Sequence, residues 1–277
     1  MARHPVLVFI AIAFGSSWSL ELAGRALDGA AGESLRLAAK FGPSLAGLAA
    51  AWLCGGRADL RALLSQLLRW RVGAAWYAVA LLGPLALWLV AAGAYITAAR
   101  SYVTFDLAGF ALFVPLVAKH FALGGGLGEE LGWRGFLQSA LERGRSVTGA
   151  SVMVGVIWGL WHAPVFLLPT QGRTGGAASL ALFTVLCVAY SLIFARVLHG
   201  ARGSLLIVAL LHAATNAAEK AVKNGFPELR DVSAVTFVYG GLVLALAVAA
   251  VVVRDSTEPR SWGDSPQPES RAAHPRR

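Results

Sequence analysis

Charge is scarce in this chain, and that limits its folds more than any other feature. Residues 74–98 contain no Asp, Glu, Lys, Arg or His, and neither do residues 232–253. About 20 apolar residues in a helix cross the roughly 30 Å hydrocarbon core of a bilayer. Overall 14% of residues are charged and 57% hydrophobic, where soluble domains carry about 25% charged residues. A soluble fold of 277 residues cannot hide that much apolar side chain, so lipid is the solvent for most of it. The predicted fold is all-α, a polytopic transmembrane helical bundle. About eight spans are expected, at 5–23, 37–54, 74–98, 107–127, 148–168, 177–198, 204–220 and 232–253. The fourth continues as helix to about 141, because Leu131, Trp133, Phe136, Leu137 and Leu141 keep helical spacing. Ser204, directly after Gly203, is placed to cap the seventh.

Charge distribution then sets orientation and excludes some partners. The formal charge of +9 does not indicate nucleic acid, since the basic residues are scattered between apolar blocks and form no stripe. Cys54 and Cys187 each lie inside an apolar block, which excludes a secreted disulfide scaffold. Arg57, Arg61, Arg69 and Arg71, with the arginines beyond 253, give an excess of basic residues to the side that holds both termini. That excess predicts an integral membrane protein with both termini in the cytoplasm. Residues 1–253 form the expected transmembrane domain. Residues 254–277, rich in Pro, Ser and charge, are expected to be a disordered cytoplasmic tail. Arginine outnumbers lysine twenty to four, which suits a GC-rich prokaryotic genome and hence a prokaryotic plasma membrane.

A few polar residues interrupt the spans, and there the sequence becomes specific. Glu129, Glu130 and Arg134 lie on the fourth helix, with Glu130 and Arg134 four apart so that they can pair on one face. Glu129 lies about 100° round the helix and is outside that pair. His162 follows Trp158 by four in the fifth span, and Asn216 follows His212 by four in the seventh. Each feature alone has a plain structural explanation: an ion pair ending a span, a satisfied core histidine, polar glue between helices. Together they supply a base-capable carboxylate, two imidazoles, an amide and a guanidinium. Glu129 and His162 both lie roughly 18–22 Å from their cytoplasmic helix ends at 1.5 Å per residue, so a shared chamber reached from the cytoplasm is expected. Peptide hydrolysis needs such parts, a group to deprotonate water and donors to hold the oxyanion. Gly124-Gly125-Gly126, in an apolar span, is read as a site of close helix packing or local unwinding. Lys119 and His120 either snorkel outward or line the chamber, and Glu21 is read as interfacial.

Glu129-Glu130-x-x-x-Arg134, Trp158-x-x-x-His162 and His212-x-x-x-Asn216 resemble the signature of the CPBP intramembrane proteases. This family comprises the type II CAAX prenyl endopeptidases and bacterial bacteriocin-processing or self-immunity proteins, also called Abi. The resemblance covers about 100–225, and Gly42-Pro43 looks family-like as well. It implies eight helices with catalytic motifs on helices 4, 5 and 7. The second motif usually begins with Phe, where this chain has Trp158. By resemblance, Glu129 activates water with His162, His212 and Asn216 hold the oxyanion, and Glu130 and Arg134 orient the site. A metal is disputed for the family. Glu129, His162 and His212 are the ligands that could hold zinc with an open water position. The metal-free glutamate mechanism is favoured here, because Asn is a rare zinc ligand and a useful oxyanion donor.

The expected activity is therefore that of a membrane-embedded protease of the CAAX type, glutamate-dependent or a metallo-endopeptidase. Its partners would be the lipid membrane and a protein or peptide substrate, membrane-associated and with a C-terminal CAAX-like or precursor sequence. Two other readings compete. One is a non-catalytic membrane interaction or self-immunity protein. The other is a small transporter with a Glu129/His212 proton relay, which the lack of an internal repeat disfavours. Motifs of other intramembrane proteases, such as His-Glu-x-x-His, are absent.

Overall fold

The computed structural model describes residues 4–168 and 175–252. The expected tail at 254–277 lies outside the described residues. Among the described residues the elements are helical throughout: α1 (Pro5–Ala26), α2 (Gly29–Ala39), α3 (Gly42–Leu67), α4 (Ala74–Ala99), α5 (Leu107–Ala111), α6 (Phe113–Leu123) and α7 (Gly125–Glu130). A π-helical segment, Leu131–Gln138, leads into α8 (Ser139–Glu142). Then follow α9 (Val147–Trp161), α10 (Ala163–Leu167), α11 (Gly176–Gly200), α12 (Leu205–Gly225), a 3₁₀ turn (Pro227–Leu229) and α13 (Ser233–Val252).

Six of these runs are long and apolar enough to cross a membrane, or seven if α2 and α3 are one bent span. The protein is thus an integral membrane, all-α polytopic bundle. Two of the eight expected segments do not stand as single straight spans. Segment 37–54 is split between α2 and α3, which meet at a 45° bend beside Gly42-Pro43, where proline removes a backbone donor. Segment 148–168 is a 15-residue helix, α9, that ends at His162 and restarts as α10. The run 107–142 does continue past 127 as expected, but it is interrupted at Leu112 and Gly124 and widens into the π-helix.

Local chemistry explains several boundaries. Ser146 caps α9 by accepting from Gly149 N at 3.1 Å, and Ser204 caps α12 by accepting from Ile207 N at 3.4 Å, satisfying amides the helix leaves unpaired. α12 is buried along most of its length. It packs on α4 and α6, while α11 packs on α9 and α3 on the π-helix. Glycines set the closest approaches. A Cβ on Gly132 would overlap the Pro43 carbonyl, and one on Gly47 would lie 2.9 Å from Leu131 O. α3 and the segment after Glu130 therefore touch backbone to backbone.

Candidate active site

Glu129 and Glu130 are 6% and 1% exposed, and Arg134 is fully buried. At such depth each charge needs a partner, since an unpaired one costs several kcal/mol. The two glutamates find different ones. Glu130 Oε1 accepts from Arg134 Nη1 at 3.0 Å and from His212 Nδ1 at 2.6 Å. Arg134 lies between two rings, 4.6 Å from the centroid of Trp158 and 4.7 Å from that of Phe194, a cation–π arrangement that compensates its burial. Glu129 Oε2 accepts two indole N–H bonds, from Trp158 at 2.7 Å and Trp133 at 3.1 Å.

His162 Nδ1 lies 2.9 Å from the Trp158 carbonyl. A carbonyl can only accept, so Nδ1 carries the proton and Nε2 of the neutral ring keeps its lone pair. The ring is set edge-on between Trp161 and Phe183, with centroids 4.7 and 4.8 Å away. Trp158 therefore touches every part of the arrangement. Its indole N–H bonds Glu129, its face meets Arg134, its edge meets His212 at 5.3 Å, and its carbonyl holds His162.

Glu129, His162 and Asn216 open together onto a cavity of about 440 Å³, whose rim carries Glu21, Arg36 and Lys40. Glu130, Arg134 and His212 do not line it and form the network behind its wall. Of the undecided residues, His120 lines the cavity and Lys119 does not. Glu21, read as interfacial, pairs with Arg25 at 2.9 Å and also reaches the rim. Its lining residues on α1, Trp18 and Glu21, stand toward the α1–α2 turn, and on α12 it reaches Asn216 at mid-helix. The start of α1, the end of α13 and the 68–73 turn lie at the opposite end of the bundle. The expected chamber opening from the cytoplasm would draw on the start of α1, whereas the α1 lining residues Trp18 and Glu21 stand in its second half, close to where Arg36 Nη1 donates to Gly24 O at 3.2 Å.

The glycine triplet serves both suggested purposes. Gly124 breaks the helix between α6 and α7, and a Cβ on Gly125 would overlap the His212 ring. The zinc set fares differently. Among the described residues no group of three or more His, Cys, Asp or Glu is placed to hold a metal ion. Glu129 Oε2 faces two indole donors and His212 Nδ1 faces Glu130, so Glu129, His162 and His212 do not fit a three-ligand site. The indoles of Trp133 and Trp158 are what the sequence reading missed. Trp133 was legible as a partner, four residues after Glu129 on one helical stretch. A second buried polar group, Gln138, Glu142, Ser151 and His199, ties α8, α9 and α11 together at the other end, with His199 Nε2 3.0 Å from Glu142. It was not singled out either, and it lies away from the cavity.

The family described as type II CAAX prenyl endopeptidase Rce1-like matches residues 110–218. A curated protein, CAAX prenyl protease 2 of Methanococcus maripaludis, is 39% identical over 57 residues, which is 21% of this chain and 18% of that protein's length. Glu129, Glu130, Arg134, His162, His212 and Asn216 all fall inside the family match. Over residues 110–218 the chain is similar to the type II CAAX prenyl endopeptidases of the Rce1-like family.

Proposed function

We propose that this protein is an intramembrane endopeptidase that hydrolyses a peptide bond in a membrane-associated substrate, a C-terminal CAAX-like or precursor peptide. One observation carries the reading: a buried carboxylate, an imidazole with a free ring nitrogen and a carboxamide share one cavity in a charge-poor bundle. Glu129 takes the proton of a water that attacks the scissile carbonyl, and His162 Nε2 shares that proton. Asn216 donates to the developing oxyanion, and His212, held by Glu130, adds positive potential behind it. Arg134 holds Glu130 in place, and Trp158 and Trp133 aim the Glu129 carboxylate. Residues 1–253 form the protease domain. Counting the bent α2–α3 pair and the α9–α10 run as spans gives eight, with the motifs on the fourth, fifth and seventh. The host membrane is a prokaryotic plasma membrane, with both termini cytoplasmic.

Comparing membrane peptidomes of cells carrying the wild type and Glu129→Gln tests activity and substrate together. Cleavage should fall by at least about 10²-fold in Glu129→Gln, His162→Ala and His212→Ala, the scale expected for acid–base and oxyanion groups, with folded protein retained. Cleavage should persist in the presence of a metal chelator. Full turnover by Glu129→Gln would overturn the proposal. The self-immunity reading predicts the opposite, that all three variants keep the host phenotype.

A further inference from the structure

The four lysines of this chain, against twenty arginines, are not scattered. Lys40, Lys119, Lys220 and Lys223 all gather at the end of the bundle where the cavity opens. Lys40 is on the cavity rim, and Lys40, Lys119 and Lys220 lie within electrostatic reach of His120. The other three line a separate hollow of about 600 Å³ between α6 and α12, which shares no residue with the cavity.

Charges do not cancel in this hollow. Its one carboxylate, Glu219, is held by Lys223 at 2.8 Å. Lys119, Lys220 and Arg230 are exposed and form no ion pair among the described residues. Apart from Asn224, the remaining wall is apolar. Leu112, Pro115 and Leu116 share one stripe of helix with Lys119, at spacings of three and four. Depth is fixed by two points of contact between the antiparallel runs. Asp106 N donates to Gly225 O at 2.9 Å near the bundle end, and Gly125 abuts His212 deeper in. Lys119 lies between these levels, below Lys220 and Lys223. A cation on the floor of a groove at a membrane surface, with more cations above it and apolar walls beside it, needs an anion that the described residues do not supply.

We propose that this hollow binds the phosphate of an anionic phospholipid headgroup. Lys119 holds the phosphate from below, Lys220 and Arg230 hold it from the rim, and the acyl chains lie along the Leu112–Leu116 face. Basic hollows between transmembrane helices recognise headgroups in this way, each nearby cation adding attraction that screens with salt. The hollow and the cleavage cavity share no lining residue. The proposal stands whether or not the cavity cleaves peptides.

The test uses the full chain in nanodiscs of phosphatidylcholine with increasing phosphatidylglycerol, with retained lipid counted by native mass spectrometry. The wild type should keep phosphatidylglycerol over phosphatidylcholine, and Lys119→Gln/Lys220→Gln should lose about tenfold or more of that preference. Lys119→Arg/Lys220→Arg should retain it, as should Arg57→Gln/Arg61→Gln at the opposite end, which separates the site from general charge and from misfolding. Equal retention of both lipids by the wild type would overturn the proposal. So would full displacement of the lipid by millimolar inorganic phosphate, which would make this a free-phosphate site. Displacement by an acidic peptide would make it a peptide site and would overturn it equally.

Discussion

Gly125 faces the ring of His212 so closely that a Cβ built on it would overlap Nε2. The ring cannot simply step aside, because Nδ1 is held by Glu130 at 2.6 Å and the faces beside it belong to Trp158 and Phe194. Gly125→Ala must therefore break that short bond or push α7 off α12, an overpacking that costs about 1–3 kcal/mol. Peptide cleavage by Gly125→Ala should fall at least about tenfold, because the oxyanion side of the site is displaced. Gly241→Ala, an exposed helical glycine with nothing near its added methyl, should leave cleavage unchanged and raise stability by about 0.5–1 kcal/mol. Thermal melts run beside the assay separate the two, and normal turnover in Gly125→Ala would mean that His212 need not hold its place. The residues that carry this site were legible in the sequence because ionisable groups are rare in the spans. Their partners were less so. A search for opposite charges leaves Glu129 uncompensated, whereas its oxygen is satisfied by two neutral indole donors, Trp133 and Trp158. In a low-dielectric interior such donors stabilise a carboxylate without adding a second charge to bury.

Between elements, most of the contacts that set the helix breaks join residues far apart in sequence. The bend between α2 and α3, the interruption at Gly124 and the π-helix at 131–138 surround one contact, where Gly47 and Pro43 meet Leu131 and Gly132. Hydropathy finds runs of apolar residues but not where one backbone presses on another. For that reason 107–127 was found as a span while its π-helical widening was not, although π-turns recur at functional sites. Segment 148–168 hides a break for the same reason. Its residues are apolar throughout, and only the α9 stop at His162 reveals the break. One link outside the spans makes a pH prediction. Glu228, in the 3₁₀ turn, accepts from Thr104 Oγ1 at 2.7 Å and from Thr104 N at 3.1 Å. These bonds hold its carboxyl below the usual carboxylate range. A lowered folded pKa means that the contribution is present above the unfolded value, near 4.5, and is lost as pH falls through the folded one. Amide protection in residues 101–106, taken relative to the intrinsic exchange rate at each pH, should therefore fall on acidification below that range and change little in Glu228→Gln. An equal acid response in both proteins would assign the effect to another group.

For the whole molecule, the distribution of charge and the direction of the cavity make separate demands. The arginines between 57 and 71 lie toward the end of the bundle where α1 starts and α13 ends, and the positive-inside tendency puts that end in the cytoplasm. The cavity rim, with Glu21, Arg36 and Lys40, lies at the other end, together with every lysine in the chain. If the arginine bias sets topology, the proposed cleavage site receives its substrate from the outer face. The lysines there are then retained against the topological tendency, as residues with a ligand to hold would be. If instead the lysine end is cytoplasmic, the cavity faces the cytoplasm and the arginine loop is outside. One measurement decides between these. In a Cys54→Ser background, with the remaining Cys187 fully buried, a membrane-impermeant maleimide is applied to intact cells that carry Lys40→Cys or Arg61→Cys. The arginine bias predicts that Lys40→Cys is labelled at once and Arg61→Cys only after permeabilisation. The reverse pattern would turn the protein over and open the cavity to the cytoplasm. Labelling of both from one side would contradict the alternation of helices on which both alternatives depend.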